Sequence, residues 1–277
     1  MSKIYTTAPL PFQGQKRNFI KQFKQELSKQ NAPKIYVDLF GGSGLLSRAA
    51  KDTHSESTVI YNDYDNFKMR LAAIPNTNKI LADIRPLVEE TPKKTRISDV
   101  VKAGIIQRIA KEKGYVDYVT LSTNLLFSMN YVKTLEELKK ATFYNRVRHT
   151  DIPNAEDYLN GLKIVSTDYK TLFNQYKNEE GVVFLVDPPY LSTDCSTYNN
   201  YWKLKDYLDV LKVLIDQRYF YFTSNKSNVI ELCEWIETNT GGTNPFYKAT
   251  VRTKETSINY QSSYTDMMIV KWTETVS

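Results

Sequence analysis

The chain has 277 residues, 41% of them hydrophobic and 25% charged, which suits one α/β domain with a smaller second lobe. Lysine and arginine total 37 against 31 acidic residues, a mild basic excess that is compatible with a polyanionic partner. Two cysteines imply no disulfide framework, and two histidines offer too few ligands for a typical zinc site, so we predict no metal. No apolar run approaches the roughly 18–20 residues of a membrane span and no signal-peptide core is visible, so we expect a cytoplasmic protein.

The first predicted elements are a loop punctuated by proline and glycine at 9–17 and an amphipathic helix at 18–31. A short β-rich run at 34–38 then leads into clustered glycines and an apolar helical stretch. This strand, glycine loop and helix are typical of nucleotide-binding α/β folds, in which the glycines let a ligand approach the backbone. The loop lacks the lysine of a P-loop, and Asp38 at the strand end suits a ligand with a cationic amine.

The run 58–65 predicts a second strand that ends in acidic residues. Asp63 lies about 20 residues beyond the glycines, where an acid typically binds ribose hydroxyls. Residues 83–161 then show helical periodicity and are rich in lysine and arginine, with tyrosine and asparagine between them. We interpret this stretch as a helical insertion that binds nucleic acid. For any single lysine in it, a solvated helical face is the better explanation.

The sheet resumes with a strand-like run at 162–169, which ends in Asp168 and Tyr169. After the strand at 181–186, the polar residues 191–200 are expected to form a mobile flap. A helix at 203–217, a strand at 219–225 and a helix at 229–238 follow. Two edge strands, 248–252 and 266–272, are expected to close the sheet as one antiparallel hairpin.

The most informative stretch is the apolar strand 181–186 and the tetrapeptide after it, Asp187-Pro188-Pro189-Tyr190. The prolines end the strand and stiffen the turn, and ligands of open α/β sheets bind outside the carboxyl ends of strands. The Asp187 carboxylate and the Pro188 carbonyl are two fixed acceptors, as a planar NH₂ group requires, and Tyr190 offers a face for stacking. Asp-Pro alone is also an ordinary turn starter.

These motifs in this order, Pro-Phe-x-Gly-x-Lys, Asp-x-Phe-x-Gly-x-Gly, Asn-Asp-x-Asp and Asp-Pro-Pro-Tyr, resemble the Dam-like family of DNA adenine N6-methyltransferases. The resemblance spans residues 9–272 and is weak across the helical insertion. It implies a Rossmann-like fold whose mostly parallel sheet has an antiparallel edge and binds S-adenosylmethionine, together with a small helical domain. We therefore predict a catalytic domain at 1–84 and 162–277 and a target-recognition domain at 85–161, acting as a monomer on double-stranded DNA.

The resemblance also implies site residues. The catalytic residues would be Asp187, Pro188, Pro189 and Tyr190. The cofactor would contact Phe12, Gly14, Lys16, Asp38, Phe40, Gly41, Gly42, Ser43, Gly44, Asp63, Asp168, Tyr169 and Asp187. The insertion would bind DNA through Asn124, Asn130, Lys133, Lys139, Lys140, Arg146 and Arg148. Gly14-Gln15 stands where some members have two glycines.

Other functions fit the same residues. An N4-cytosine DNA methyltransferase uses the same amine chemistry, although serine more often stands there in place of Asp187. An RNA or free-nucleotide methyltransferase is a second alternative, and the basic insertion argues against the free nucleotide. A non-catalytic DNA-binding protein on the same scaffold is a third. The recognised DNA sequence stays open, because it depends on which few side chains enter the groove.

Overall fold

A computed structural model describes residues 4–128, 130–189, 203–259 and 262–272. Tyr190 and the predicted flap at 191–200 therefore lie outside the described residues. The chain divides into two compact units, which we call the sheet unit and the helical unit. The sheet unit comprises Met1–Thr7, Gly14–Asp65 and Leu159–Ser277, and the helical unit comprises Ala8–Gln13 and Asn66–Tyr158.

Seven strands within the described residues form one sheet in the order β3-β2-β1-β4-β5-β7-β6. The strands are β1 (Ile35–Asp38), β2 (Thr58–Asn62), β3 (Leu162–Val165), β4 (Val182–Val186), β5 (Tyr219–Ser224), β6 (Thr250–Asn259) and β7 (Ser262–Lys271). The pairs β1–β2, β1–β4, β2–β3 and β4–β5 are parallel, whereas β7 pairs antiparallel with both β5 and β6. The predicted Rossmann-like sheet with an antiparallel edge is confirmed.

The helices of the sheet unit cover both faces of the sheet. They are α1 (Ile20–Ser28), α2 (Leu45–Thr53), α8 (Tyr169–Tyr176), α9 (Leu204–Lys212) and α10 (Val229–Thr240). In β4, Val183 and Leu185 belong to the core beneath α1 and α2, and Phe184 belongs to the core beneath α8 to α10. Because side chains alternate along a strand and all five residues of β4 are buried, β4 lies in the middle of the unit and fixes the position of Asp187.

The helical unit contains α3 (Phe67–Ala72), α4 (Ile74–Leu87), α5 (Asp99–Ala110), α6 (Tyr118–Leu125) and α7 (Leu135–Lys140). Its longer segment begins at Asn66, whereas the target-recognition domain was predicted to begin at residue 85; α3 packs with α4, and α4 packs with α5 and α6. The buried guanidinium of Arg70 on α3 donates to Asp117 Oδ1 at 3.0 Å. Asp117 in turn caps α6 by accepting from the Thr120 backbone N–H at 3.1 Å.

The N-terminal segment Ala8–Gln13 belongs to the helical unit as well. Leu10 is only 2% exposed, and the carbonyl of Pro11 accepts a 2.8 Å hydrogen bond from Arg70. No helix in the described part of the chain is both long and apolar enough to span a bilayer.

Candidate active site

Two acidic residues stand at the carboxyl edge of adjacent central strands. Asp38 is the last residue of β1, where it lies opposite Leu185 of β4, and Asp187 follows two residues later. Parallel strands end at the same edge of a sheet, so the pairing brings the two carboxyl groups to one place. The negative charge of Asp187 is one of the causes that raise the pKa of Asp38, which is consistent with this proximity.

Asp38 is a completely buried acid with one satisfied oxygen. The Ser47 hydroxyl, on α2, donates to its Oδ2 at 2.6 Å, whereas Oδ1 has no hydrogen-bond partner within the described residues. Burial raises the pKa of this carboxyl to about 7, and the hydrogen bond from Ser47 opposes the rise. A buried cationic group from a ligand would satisfy Oδ1 and favour the ionised form.

Asp187 is paired with Lys16, the lysine of the predicted opening motif. The Lys16 ammonium lies 2.7 Å from Asp187 Oδ2, and it also donates to the Gly14 carbonyl at 2.7 Å. Burial raises the pKa of Asp187, the ammonium of Lys16 lowers it, and the charge of Asp266 on β7 raises it again. Asp187 Oδ1 is buried and accepts no hydrogen bond from any described residue.

The glycine loop adopts conformations that only glycine takes without strain. Gly42 and Gly44 have φ of 49° and 71°, and the Gly44 N–H closes the turn on the Gly41 carbonyl at 2.7 Å. A Cβ on Gly41 would lie 2.4 Å from the Tyr61 ring, so a side chain there is excluded by packing inside the protein. The buried Ser43 completes the loop.

Asp63 lies immediately after β2 and is connected to the glycine loop through Tyr61. The Tyr61 hydroxyl lies 3.0 Å from Asp63 Oδ1 and 2.8 Å from the Gly42 carbonyl, and its single hydrogen can serve either acceptor. The backbone N–H of Asp63 continues the parallel ladder to Val165 at 2.7 Å. The acid is thereby held at the same edge as the loop.

Asn62 is a site residue whose role the sequence did not reveal. Its Nδ2 donates to the carbonyls of Leu39 and Thr167, both at 3.0 Å, and its Oδ1 accepts from the Thr167 N–H at 3.0 Å. The Asn62 side chain therefore connects, by hydrogen bonds, the segments that follow β1 and β3. An amide as the last residue of a buried strand, directly before Asp63, is the sequence signal that could have identified it.

Asp168 and Tyr169 lie at the start of α8, which follows β3. Asp168 is exposed, and its Oδ1 caps the helix by accepting from the backbone N–H groups of Lys170 at 2.9 Å and Thr171 at 3.3 Å. The Tyr169 ring packs against Phe40 with 4.8 Å between ring centroids. The two aromatic rings therefore form one surface beside the glycine loop.

The remaining predicted residues of the sheet-unit site are the two prolines. Pro188 is buried and Pro189 is partly buried, directly after Asp187. Phe12, by contrast, is placed in the helical unit, where its ring meets the edge of Phe67 at 5.9 Å. The opening motif is thus divided between the units, with Phe12 in one and Gly14 and Lys16 in the other.

The predicted DNA-binding residues of the helical unit fall into two groups. Asn124 is buried: its Nδ2 donates to the Thr120 carbonyl, and its Oδ1 and carbonyl accept from the backbone N–H groups of Arg148 and Arg146. It therefore supports these two arginines and does not present its amide to solvent. The other residues are exposed or half-exposed: Asn130, Lys133, Lys139, Lys140, Arg146 and Arg148. Lys139 forms an ion pair with Glu136 at 2.6 Å.

An exposed aromatic residue stands next to this basic group and was missed by the sequence analysis. Phe127, just after α6, is 60% exposed, and its ring meets the edge of Tyr144 at 5.7 Å. Arg146 donates to the neighbouring Ser128 hydroxyl. We call these four residues the Phe127 surface; it combines an aromatic face with a cation, as single-stranded or unstacked bases require.

Within the described ranges, no group of three or more histidine, cysteine, aspartate or glutamate side chains could hold a metal ion. What the sheet unit presents is a glycine loop and three acids, Asp38, Asp63 and Asp187, along one carboxyl edge. These features define the class of α/β enzymes that bind a nucleotide-like cofactor at that edge.

Comparison with known proteins gives the family. Residues 12–216 match the model of the D12 class N6 adenine-specific DNA methyltransferases. A protein of Haemophilus influenzae (strain ATCC 51907 / DSM 11121 / KW20 / Rd) named "Putative methyltransferase" is 38% identical over 280 aligned residues, and the alignment covers 98% of this chain and 94% of that protein. The chain belongs to the D12 class N6 adenine-specific DNA methyltransferase family.

Proposed function

We propose that this protein transfers a methyl group from S-adenosylmethionine to the N6 amine of an adenine flipped out of double-stranded DNA. The observation that carries the proposal is Asp187, whose Oδ2 is occupied by Lys16 while its buried Oδ1 accepts nothing from the described residues. One carboxylate oxygen is thus available in a rigid turn beside the Pro188 carbonyl. This is the pair of acceptors that a planar amine needs.

The residues of the sheet unit fit the methyl donor. The open Oδ1 of Asp38 would accept from the amino group of its methionine portion, and Asp63 would accept from the ribose hydroxyls. Phe40 and Tyr169 offer an aromatic surface for its adenine, with the exposed Asp168 next to them. When bound, S-adenosylmethionine supplies an electrophilic methyl group on a positively charged sulfur.

Asp187 and Pro188 would activate the target amine by electrostatics and position. The adenine amine is a poor nucleophile because its lone pair is delocalised into the ring. Two acceptors, Asp187 Oδ1 and the Pro188 carbonyl, favour a tetrahedral nitrogen whose lone pair is exposed. Burial raises the pKa of Asp187, and the Lys16 ammonium lowers it and so favours the ionised carboxylate, which is the form that accepts hydrogen bonds.

The helical unit would bind the DNA. A base inside a duplex is out of reach, so it must be flipped, and unstacking costs a few kcal/mol that contacts elsewhere must offset. The Phe127 surface and the exposed cations of α7 and its surroundings are suited to those contacts. Tyr190, outside the described residues, is the proposed stacking partner of the flipped base.

Incubation with tritiated S-adenosylmethionine and genomic DNA, followed by mapping of N6-methyladenine, tests the proposal. N6-methyladenine at one sequence context supports it. Label in cytosine or only in RNA would establish one of the alternatives, and donor binding without transfer to any nucleic acid would establish the non-catalytic protein. Asp187→Ala should abolish transfer and retain measurable donor binding, whereas the exposed Glu234→Ala should retain both.

A further inference from the structure

The outer side of α1 carries a basic groove that the proposed chemistry does not use. Its volume is about 930 Å³, and we call it the α1 groove. Its lining includes four cations, Arg17, Lys21, Lys24 and Lys29, and no carboxylate. Ile4, 74% exposed, stands beside them. The groove is formed by residues of the sheet unit alone.

The positions of two of these cations, Lys21 and Lys24, follow from the packing of α1. Phe23 and Leu27 are fully buried in the core beneath α1 and α2, and this buries one stripe of the helix. Residues at other angles around the axis, including Lys21 and Lys24, are then directed away from the core. The helix therefore has a buried apolar stripe and a basic stripe.

Two of the four cations are neutralised within the chain and two are not. Lys24 lies 3.4 Å from Asp52, which also pairs with Arg48, and Lys29 lies 2.8 Å from Glu26. Arg17 and Lys21 are exposed and make no side-chain hydrogen bond or ion pair within the described residues. Both line a groove without a carboxylate, so an external anion is the partner that would neutralise their charges.

We infer that the α1 groove binds the phosphate backbone of duplex DNA through Arg17 and Lys21, in addition to the contacts proposed for the helical unit. The inference rests on the proposed function, because it assumes that duplex DNA is the substrate. Two exposed cations in one groove suit the successive phosphates of a duplex better than a single small anion. Such contacts add affinity for any sequence and carry no base specificity.

The salt dependence of binding to a random-sequence duplex tests the inference. The intact chain is compared with an Arg17→Ala/Lys21→Ala variant while the salt concentration is varied. Loss of two phosphate contacts should reduce the slope of log K against log salt by about 1.8 and weaken binding at low salt. A Lys163→Ala/Lys177→Ala variant, which removes two exposed lysines elsewhere in the sheet unit, is the matched control and should keep the wild-type slope.

Donor affinity and thermal unfolding of each variant report whether the sheet unit is intact. If the wild type and the Arg17/Lys21 variant give equal slopes and the variant methylates genomic DNA as the wild type does, the inference about the α1 groove is wrong. The proposed function would then still stand. An equal loss of slope in the control variant would also overturn it, since the effect would then be one of net charge. A wild type that neither binds nor methylates DNA would refute the proposed function itself, and the inference with it.

Discussion

The Lys16 ammonium and the Asp187 carboxylate form a 2.7 Å ion pair in which the side chains are only 9% and 16% exposed. The lysine contacts one oxygen of the carboxylate, Oδ2, and Oδ1 remains without a partner among the described residues. One charge thus has two expected consequences: it lowers the pKa of Asp187 against the effect of burial, and it leaves Oδ1 as the oxygen that accepts from an incoming donor. Both consequences can be measured.

Lys16→Met should move the acid limb of the activity–pH profile to higher pH. Without the ammonium, burial and the Asp266 charge raise the pKa of Asp187 further, and the protonated carboxyl no longer accepts from the amine. Lys16→Arg keeps the charge and should keep the limb near its wild-type position. An unmoved limb in Lys16→Met would contradict this role. Because breaking a buried pair costs about 3–5 kcal/mol, unfolding should be measured in parallel.

Asp38→Asn should stabilise the donor-free protein at neutral and higher pH but not in acid. The folded-state pKa of Asp38 is raised from 3.8 to about 7, so the folded state binds the proton more tightly than the unfolded state. Ionisation of Asp38 therefore costs stability progressively as the pH rises from 3.8 towards about 7, and asparagine avoids this cost. Thermal unfolding of both proteins across this range measures the difference. A difference that is the same at every pH would show that Asp38 is not the group responsible.

Gly41→Ala should disrupt the loop beside Asp38 and weaken donor binding. The added Cβ would lie 2.4 Å from the Tyr61 ring and 2.7 Å from the Asn62 carbonyl, and such overpacking typically costs about 1–3 kcal/mol. Gly104→Ala, on α5, is the matched control, because the nearest atom to its added Cβ would be a Leu87 methyl carbon 4.0 Å away. Alanine should stabilise that helix by about 0.5–1 kcal/mol. Urea unfolding should give opposite signs for the two changes, and equal signs would contradict the packing argument.

Phe127→Ala should weaken DNA binding and leave donor binding unchanged. If the exposed ring stacks on a base, its removal should cost about 1–3 kcal/mol of DNA-binding free energy. Val100, 84% exposed on α5 of the same unit, provides the control variant Val100→Ala, for which no loss is expected. The readout is the affinity for duplex DNA, with donor affinity measured separately. Equal DNA affinity for the two variants would remove Phe127 from the interface.

The local features of the sheet unit could be predicted from the sequence. The run before Asp187 is a strand buried on both faces, and the glycines after Asp38 occupy a turn with positive φ at Gly42 and Gly44. These features depend on composition within a few residues. The antiparallel edge hairpin was also predicted, although β6 and β7 extend further than the expected strands.

Features that depend on distant contacts could not be predicted. Arg70 and Asp117 are 47 positions apart, so nothing local shows that they form a buried ion pair that places α3 in the helical unit. The buried position of Asn124, whose Oδ1 accepts from the Arg148 backbone N–H, likewise depends on a residue 24 positions away. Phe127 was missed because an aromatic residue after an apolar helix is usually core.

The segment Ala8–Gln13 belongs to the helical unit although most of that unit begins at Asn66. If the helical unit recognises DNA as proposed, exchanging it between related enzymes is a way to change the target sequence. A chimera that exchanged residues 66–158 alone would pair one protein's Arg70 with another's Pro11, and would leave Leu10 against a foreign core. The transplant should therefore carry the short amino-terminal strip together with the helices.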